Sequence, residues 1–299
     1  MRQAQSGPAS STVDNLQVSI DHYENFPVAS VLCPRALRPP IAAIYRFARI
    51  ADDLADEGPA SRNERVQALR LYRQGLQASL RHQPCDHWPQ VFGPLAQMIE
   101  RHRLPPQLFH DLLDAFEQDC GNPIYHDRPQ LTDYCRRSAN PIGRLLLHLY
   151  GVADAQALAQ SDAICTALQL INFWQDPSVD LPRRRCYFPL EDLARHGLSV
   201  DELSTGQDTV KTQAMLSELC AWAEGLLRQG SPLVFRLRGR IGWELRLVVQ
   251  GGLRVLERIA AMDHRTLGAR PTLQGRDMPV MIWRAWRMRR SDRRTGAQG

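Results

Sequence analysis

Four acids, Asp52, Asp53, Asp56 and Glu57, crowd the stretch IADDLADEG, directly after the mostly apolar run Pro40 to Ile50. On a helix, Asp52 and Asp56 share one face, and Asp53 and Glu57 form a parallel row about 100° around it. Like charges so spaced repel by roughly 0.2–0.5 kcal/mol per pair on an exposed helix, and by more when partly buried. A solvated face accounts for one such row. A second pair, Asp176 and Asp180 in QLINFWQDPSVD, repeats the four-residue spacing at the end of another helical run. Two rows call for two helices that face each other. Carboxylates opposed across an apolar pocket cost on the order of tens of kcal/mol by Born estimates unless cations lie between them. Mg²⁺ suits the gap, because it prefers hard oxygen ligands and takes one or two carboxylates together with waters and substrate phosphates. The pattern predicts a diphosphate ligand bridged through Mg²⁺ to both Asp pairs, with Arg side chains adding donors.

Helices must carry these rows. Apolar residues recur at i, i+3, i+4 and i+7 in PPIAAIYRFARIADDLADEG, RVQALRLYRQGLQASL, PPQLFHDLLDAFEQD, IGRLLLHLYGV, SDAICTALQLINFWQD and GLRVLERIAAMDHR. Strict alternation over five or more residues is scarce. Breakers separate the runs at Pro34, Pro59, Pro84, Pro105 with Pro106, Gly121 to Pro123, Gly206, and Gly230 to Pro232. The chain reads as all-α and as one compact domain, without the repeat of a solenoid. Gly121 to Asp133 and Leu181 to Pro189 read as loops. Pro177 follows Asp176 directly and cannot donate within a helix, so a kink or break is expected there.

With 299 residues, 43% of them hydrophobic, the chain can bury a large core. No apolar run is long enough to span a membrane, and Met1 to Thr12 is polar, so a cytoplasmic location is expected. The seven cysteines show no CxxC spacing, which points away from a disulfide framework or structural zinc. Net charge is +5, carried almost wholly by Arg, with Lys211 the only lysine. A GC-rich genome gives the same bias. The Arg residues are dispersed, and no nucleic-acid-binding module is evident. The end WRAWRMRRSDRRTG alternates Trp with Arg. It reads either as a solvated tail or as a contact for anionic lipid headgroups, which would place the protein peripherally on the inner membrane.

Three stretches, ENFPVAS…LRPPIAAIYRFARIADDLADEG, YCRRSANPIGRLLLHLYG and QLINFWQDPSVDLPRRRCYFP, resemble the squalene and phytoene synthase family. The resemblance runs from about Asp21 to about Arg290, leaving 1–20 and the basic end 291–299 as expected flexible segments. The wording ENFPVAS, SANPIGRLLLHLYG and NFWQD is most similar to the bacterial hydroxysqualene synthases of hopanoid biosynthesis.

The resemblance implies an all-α isoprenoid-synthase bundle with a central cavity whose mouth carries two Asp-rich motifs. Asp52 and Asp56 match the first motif and Asp176 and Asp180 the second, together binding two or three Mg²⁺ ions. Arg49 matches a diphosphate contact, and Arg185 with Tyr187 matches the Arg-x-Tyr after the second motif. Gln169 and Asn172 match polar residues on the second motif's helix, Asn172 as a metal or diphosphate contact. Tyr45, His22 and Tyr134 match positions lining the site. Tyr45 and Tyr134 also fit ordinary core tyrosines, and His22 fits an ordinary loop or helix-end histidine. Phe26, Phe47, Phe173 and Trp174 line the cavity or, in most cases, fill the core.

The activity implied is ionisation of presqualene diphosphate and capture of the cation by water, without NADPH. A presqualene diphosphate synthase would hand over the substrate. Two departures stand out. Where carotenoid-type members carry Ala-Gly, this chain has Ser138, Ala139 and Asn140; Asn140 either positions the capturing water or caps the helix beginning at Pro141. Gln175 stands where some relatives have Arg. Two rival readings remain: a squalene, hydrosqualene or phytoene synthase joining two prenyl diphosphates itself, and a non-enzymatic helical assembly factor.

Overall fold

A computed structural model describes residues 33–83 and 85–295. His22, Phe26 and the ENFPVAS stretch lie outside the described residues. Among those described, every regular element is helical. The longer helices are α1 (Arg38–Asp56), α2 (Arg62–Leu80), α3 (Pro89–His102), α4 (Pro106–Asp119), α5 (Arg128–Ser138), α6 (Asn140–Leu149) and α7 (Ala155–Gln175). Short α8 (Pro177–Asp180), α9 (Leu190–Arg195) and α10 (Val200–Ser204) follow, then α11 (Val210–Gly230), α12 (Leu233–Arg236), α13 (Gly239–Ala261) and α14 (Asp277–Thr295).

Local chemistry sets the helix ends. Prolines occupy the first turn of α1, where an N–H would lack a partner anyway. The helix stops at Asp56, beyond which Glu57 is extended and Gly58 takes φ +79°, a conformation glycine adopts without strain. Ser61 and Glu64 then form a reciprocal capping box that starts α2. The expected loop from Gly121 is shorter than the sequence indicates. Asp127 accepts from the Gln130 N–H and starts α5 at Arg128, so the run to Asp133 is already helical. The expected break at Asp176 is present: α7 ends at Gln175, and α8 restarts with Pro177 in its first turn.

Two apolar cores hold the molecule. In the first, α1 to α4 surround Phe47, whose ring lies 5.2 Å from Tyr72 and 5.3 Å from Phe109, centroid to centroid. The buried Tyr72 hydroxyl donates to the Phe47 carbonyl at 3.1 Å. The second core is built around α7, which packs on α5, α6, α11, α12 and α13. Its burial extends around most of the helix, not along one stripe, as suits a central helix. Gly143 permits the α6–α7 crossing: a Cβ there would lie 2.5 Å from both Cys165 Sγ and Ser161 Oγ. The last helix runs through Thr295, so residues 291–295, read from sequence as part of a flexible basic tail, belong to α14. Among the described residues no helix is long and apolar enough to cross a membrane.

Candidate active site

Between the two cores lies a cavity of about 1250 Å³. Aliphatic side chains form one share of its walls, with Ile41 and Ile44 from α1, Ile142 and Leu146 from α6, and Ile241 and Leu245 from α13. Acids and arginines form its polar part: Asp52, Asp56, Asp176 and Asp180 all line it, as do Arg49, Arg183 and Arg185. The two Asp rows that the sequence separates by more than a hundred residues border one chamber.

The helix termini explain the grouping. Asp52 and Asp56 occupy the last turn of α1, and Asp176 and Asp180 bracket α8. The chain then reverses through a 3-10 turn at Leu181–Arg183, closed by Arg184 in the left-handed conformation at φ +60°. The Arg185 N–H returns to the Asp180 carbonyl at 3.0 Å. Its guanidinium reaches across to α1 and grips both oxygens of Asp56, one of them at 2.7 Å. Arg185 thereby ties the two acidic motifs together through a two-pronged, charge-assisted contact.

Three of the four acids of the first motif, Asp52, Asp56 and Glu57, line the cavity. Arg49 binds Asp53 and Glu57 at 2.8 Å each, and approaches Asp52 at 3.4 Å. Burial, then the neighbouring Asp56, pushes the Asp52 carboxyl up to about 7; the 43% of its side chain still accessible borders the chamber. Burial, then Asp176, likewise pushes Asp180 up to about 7. Such shifts mark an excess of negative charge in a partly desolvated space.

Three further contributors escaped the sequence reading. Asp119, the last residue of α4, lines the cavity. Its Oδ2 accepts the Tyr134 hydroxyl at 2.9 Å, while Oδ1 is buried without a partner. Burial pushes this carboxyl up to about 8, against the opposing effect of the Tyr134 hydrogen bond. A signal existed: Asp119 continues the buried stripe Leu112, Ala115, Phe116 at i+7, i+4 and i+3, an odd place for an acid. Arg270, in the 262–276 connection between α13 and α14, grips both oxygens of Asp176, one at 3.0 Å. Gln175 fastens that connection by donating to the Pro271 carbonyl at 2.7 Å. Arg183, a third, carries no distinguishing pattern in its Arg run.

The other expected residues spread out. Tyr45 and Arg49 line the cavity with the Asp rows. Tyr134 and Tyr187 stand outside the lining, in an aromatic stack where Tyr187 lies 3.8 Å from Phe173. Tyr134 meets the cavity only through Asp119. Gln169 and Asn172, half-buried on α7, are likewise not among the described residues that line the chamber. The capping expectation for Asn140 needs correction. The residue is buried at the start of α6, its Oδ1 accepts from Thr166 Oγ1 at 3.0 Å, and it lies off the lining; nor does it cap the helix, since Ala139 holds that position. The hydrogen bond from Thr166 helps to pack α6 on α7. Phe47, Phe173 and Trp174 fill the cores.

Could this site take a divalent metal? The donors are hard carboxylate oxygens whose raised affinity for protons would be relieved by a cation. Among the described residues no three acidic, His or Cys side chains converge on one point. Arg185 and Arg270 occupy Asp56 and Asp176. The set therefore suits a cation that takes one or two carboxylates and completes its sphere from a phosphate ligand, not a preformed protein cage.

The squalene/phytoene synthase family model matches residues 21–277. This chain belongs to the squalene/phytoene synthase family. Family members are enzymes that process prenyl diphosphates. A hydroxysqualene synthase of Sinorhizobium fredii is 33% identical over 242 residues, 80% of each chain. A phytoene synthase of Thermus thermophilus is 28% identical over 273 residues, 91% of each. The crystal structure of squalene synthase HpnC from Alicyclobacillus acidocaldarius superposes with a TM-score of 0.74 at 33% identity, covering 81% of this chain and 90% of that one. The expected all-α isoprenoid-synthase bundle is thus the fold of this family member.

Proposed function

We propose that this enzyme is a hydroxysqualene synthase, converting presqualene diphosphate and water to hydroxysqualene and diphosphate. The observation that carries the reading is that one chamber is lined both by aliphatic side chains and by five aspartates and several arginines. A long hydrocarbon with a diphosphate head matches that lining. The similarity to a hydroxysqualene synthase across most of both chains supports the branch.

Asp52, Asp56, Asp176 and Asp180 would hold Mg²⁺, which when bound neutralises the charge accumulating on the leaving diphosphate. Arg49, Arg183, Arg185 and Arg270 supply fixed donors on the same side of the chamber, where they stabilise the departing oxygens without proton transfer. The C–O bond breaks with its electron pair leaving on the diphosphate. The cation left behind is flanked by aliphatic side chains such as Ile41, Ile44, Leu146 and Leu245, which limit the access of stray water. After the cyclopropylcarbinyl cation rearranges, one water forms the new C–O bond as a cyclopropane C–C bond breaks and its electron pair becomes an alkene, and the water's proton goes to the released diphosphate.

Presqualene diphosphate with Mg²⁺, followed by mass spectrometry of the products, tests the reading. An open-chain, secondary allylic C₃₀ alcohol supports it. The competing reading, condensation of two prenyl diphosphates, is favoured by the similarity to a phytoene synthase along 91% of the chain. Consumption of farnesyl diphosphate supplied alone would establish that alternative and overturn the first.

A further inference from the structure

Among the described residues, four of the exposed large apolar side chains fall on α14. They are Met278 (51% exposed), Ile282 (46%), Trp283 (52%) and Trp286 (46%). At 100° per residue, positions 278, 282, 283 and 286 fall within one side of the helix. Met281 and Ala285, which lie about 60° and 20° beyond Met278 on its other flank, are buried, and the helix packs on α13. Asp277, at the start of the helix, is itself buried and held by Arg254 and Arg258, so its charge is neutralised within the fold. Single exposed apolar residues are common, but four on one helical side, two of them indoles, are not.

Charge identifies what this face fits. The helix carries six arginines and two aspartates; Asp277 is neutralised by Arg254 and Arg258, and Arg284 pairs with Glu257 of α13, which leaves five arginines against one aspartate. Arg287 lies over the Trp283 ring, its guanidinium carbon 4.8 Å from the centroid. Indole rings favour the boundary between hydrocarbon and water, and guanidinium groups beside them favour anionic headgroups. The same helix follows directly on the connection that delivers Arg270 to the cavity, so a surface held by α14 would sit one short segment from the polar part of the chamber.

We infer that the exposed side of α14 docks the enzyme on an anionic lipid surface, with Ile282 and Trp283 entering the headgroup boundary and Arg287 contacting the headgroups.

The test is sedimentation of the full chain with vesicles of phosphatidylcholine alone or with roughly one-third phosphatidylglycerol. The expected result is binding to the anionic vesicles only, weakened by salt because headgroup attraction is screened beyond about 10 Å at 0.1 M. Ile282→Ser/Trp283→Ala should lower partitioning at least tenfold with an unchanged melting temperature. Arg287→Gln should lower it about fivefold, in line with the attraction of one basic residue near a charged surface. Equal binding to both vesicle types, or full binding by the double variant, overturns the inference. A marked fall in the double variant's melting temperature would show that part of this chain covers the face, and also overturns it. Association of the chain in solution that the double variant abolishes would assign the face to a second copy instead.

Discussion

Replacing Arg270 with Ala separates a carboxylate that exists to bind cations from one that merely belongs to a structural ion pair. Arg270 grips both oxygens of Asp176; the two side chains are 33% and 12% exposed. Removing one partner of a fully buried pair costs about 3–5 kcal/mol, because the remaining charge is left uncompensated. The partial exposure of Arg270 places this pair at the lower end, about 3 kcal/mol. For a domain of this size each kcal/mol lowers the melting temperature by about 2–4 °C, so Arg270→Ala should melt about 6–12 °C lower in a chelator. If Asp176 faces a site for divalent ions and diphosphate, those ligands can replace the lost guanidinium. Differential scanning fluorimetry with Mg²⁺ and inorganic pyrophosphate should then recover a large part of the deficit, while Arg270→Lys should show a smaller one throughout. An identical deficit with and without the ligands would refute the reasoning, since Asp176 would then need Arg270 for folding alone.

Asp52→Ala and Asp176→Ala should each lower turnover of presqualene diphosphate at least 100-fold, about 2.7 kcal/mol in the barrier, measured as product formed per minute under saturating Mg²⁺. Asp119 holds its proton in the folded chain up to about pH 8, whereas an unfolded aspartate releases it near pH 3.9. Between those limits the folded state binds the extra proton, so its contribution to stability is lost as pH rises, by up to about 1.4 kcal/mol per pH unit. Asp119→Asn should therefore flatten the fall in melting temperature between pH 5 and 8, and a parallel decline in both proteins would remove Asp119 as its source. Gly143→Ala puts a methyl 2.5 Å from Cys165 Sγ and Ser161 Oγ. Overpacking of about 1–3 kcal/mol outweighs the helix propensity gain of about 1 kcal/mol, so chemical denaturation should show a net loss, and a gain would mean that α6 shifts freely.

Much of the frame is legible along the chain because it depends on local periodicity. The apolar spacing of α1, the first-turn prolines and the Ser61–Glu64 box specify where helices begin and which side they bury. Pro177 fixes the break beside Asp176, for it cannot donate the hydrogen bond that would continue α7. The two Asp pairs stand out for a related reason: repulsion at i and i+4 is a local cost that needs a distant cause.

That distant cause lies in contacts with no spacing to read. Arg185 reaches Asp56 across 129 positions and Arg270 reaches Asp176 across 94. Nothing in the run RRRC or in the lone Arg after Gly268 and Ala269 marks which guanidinium will arrive. Asp119 reads as the last acid of an ordinary amphipathic helix until α5 brings Tyr134 against it. Asn140 went the other way, polar and well placed in sequence, yet drawn into the α6–α7 packing by Thr166. The sequence by itself determined the helices, their breaks and the chemical type of the site, since these follow from each residue's near neighbours. Only the tertiary structure decided which charges meet and which side chains reach the cavity, because packing between helices sets those distances.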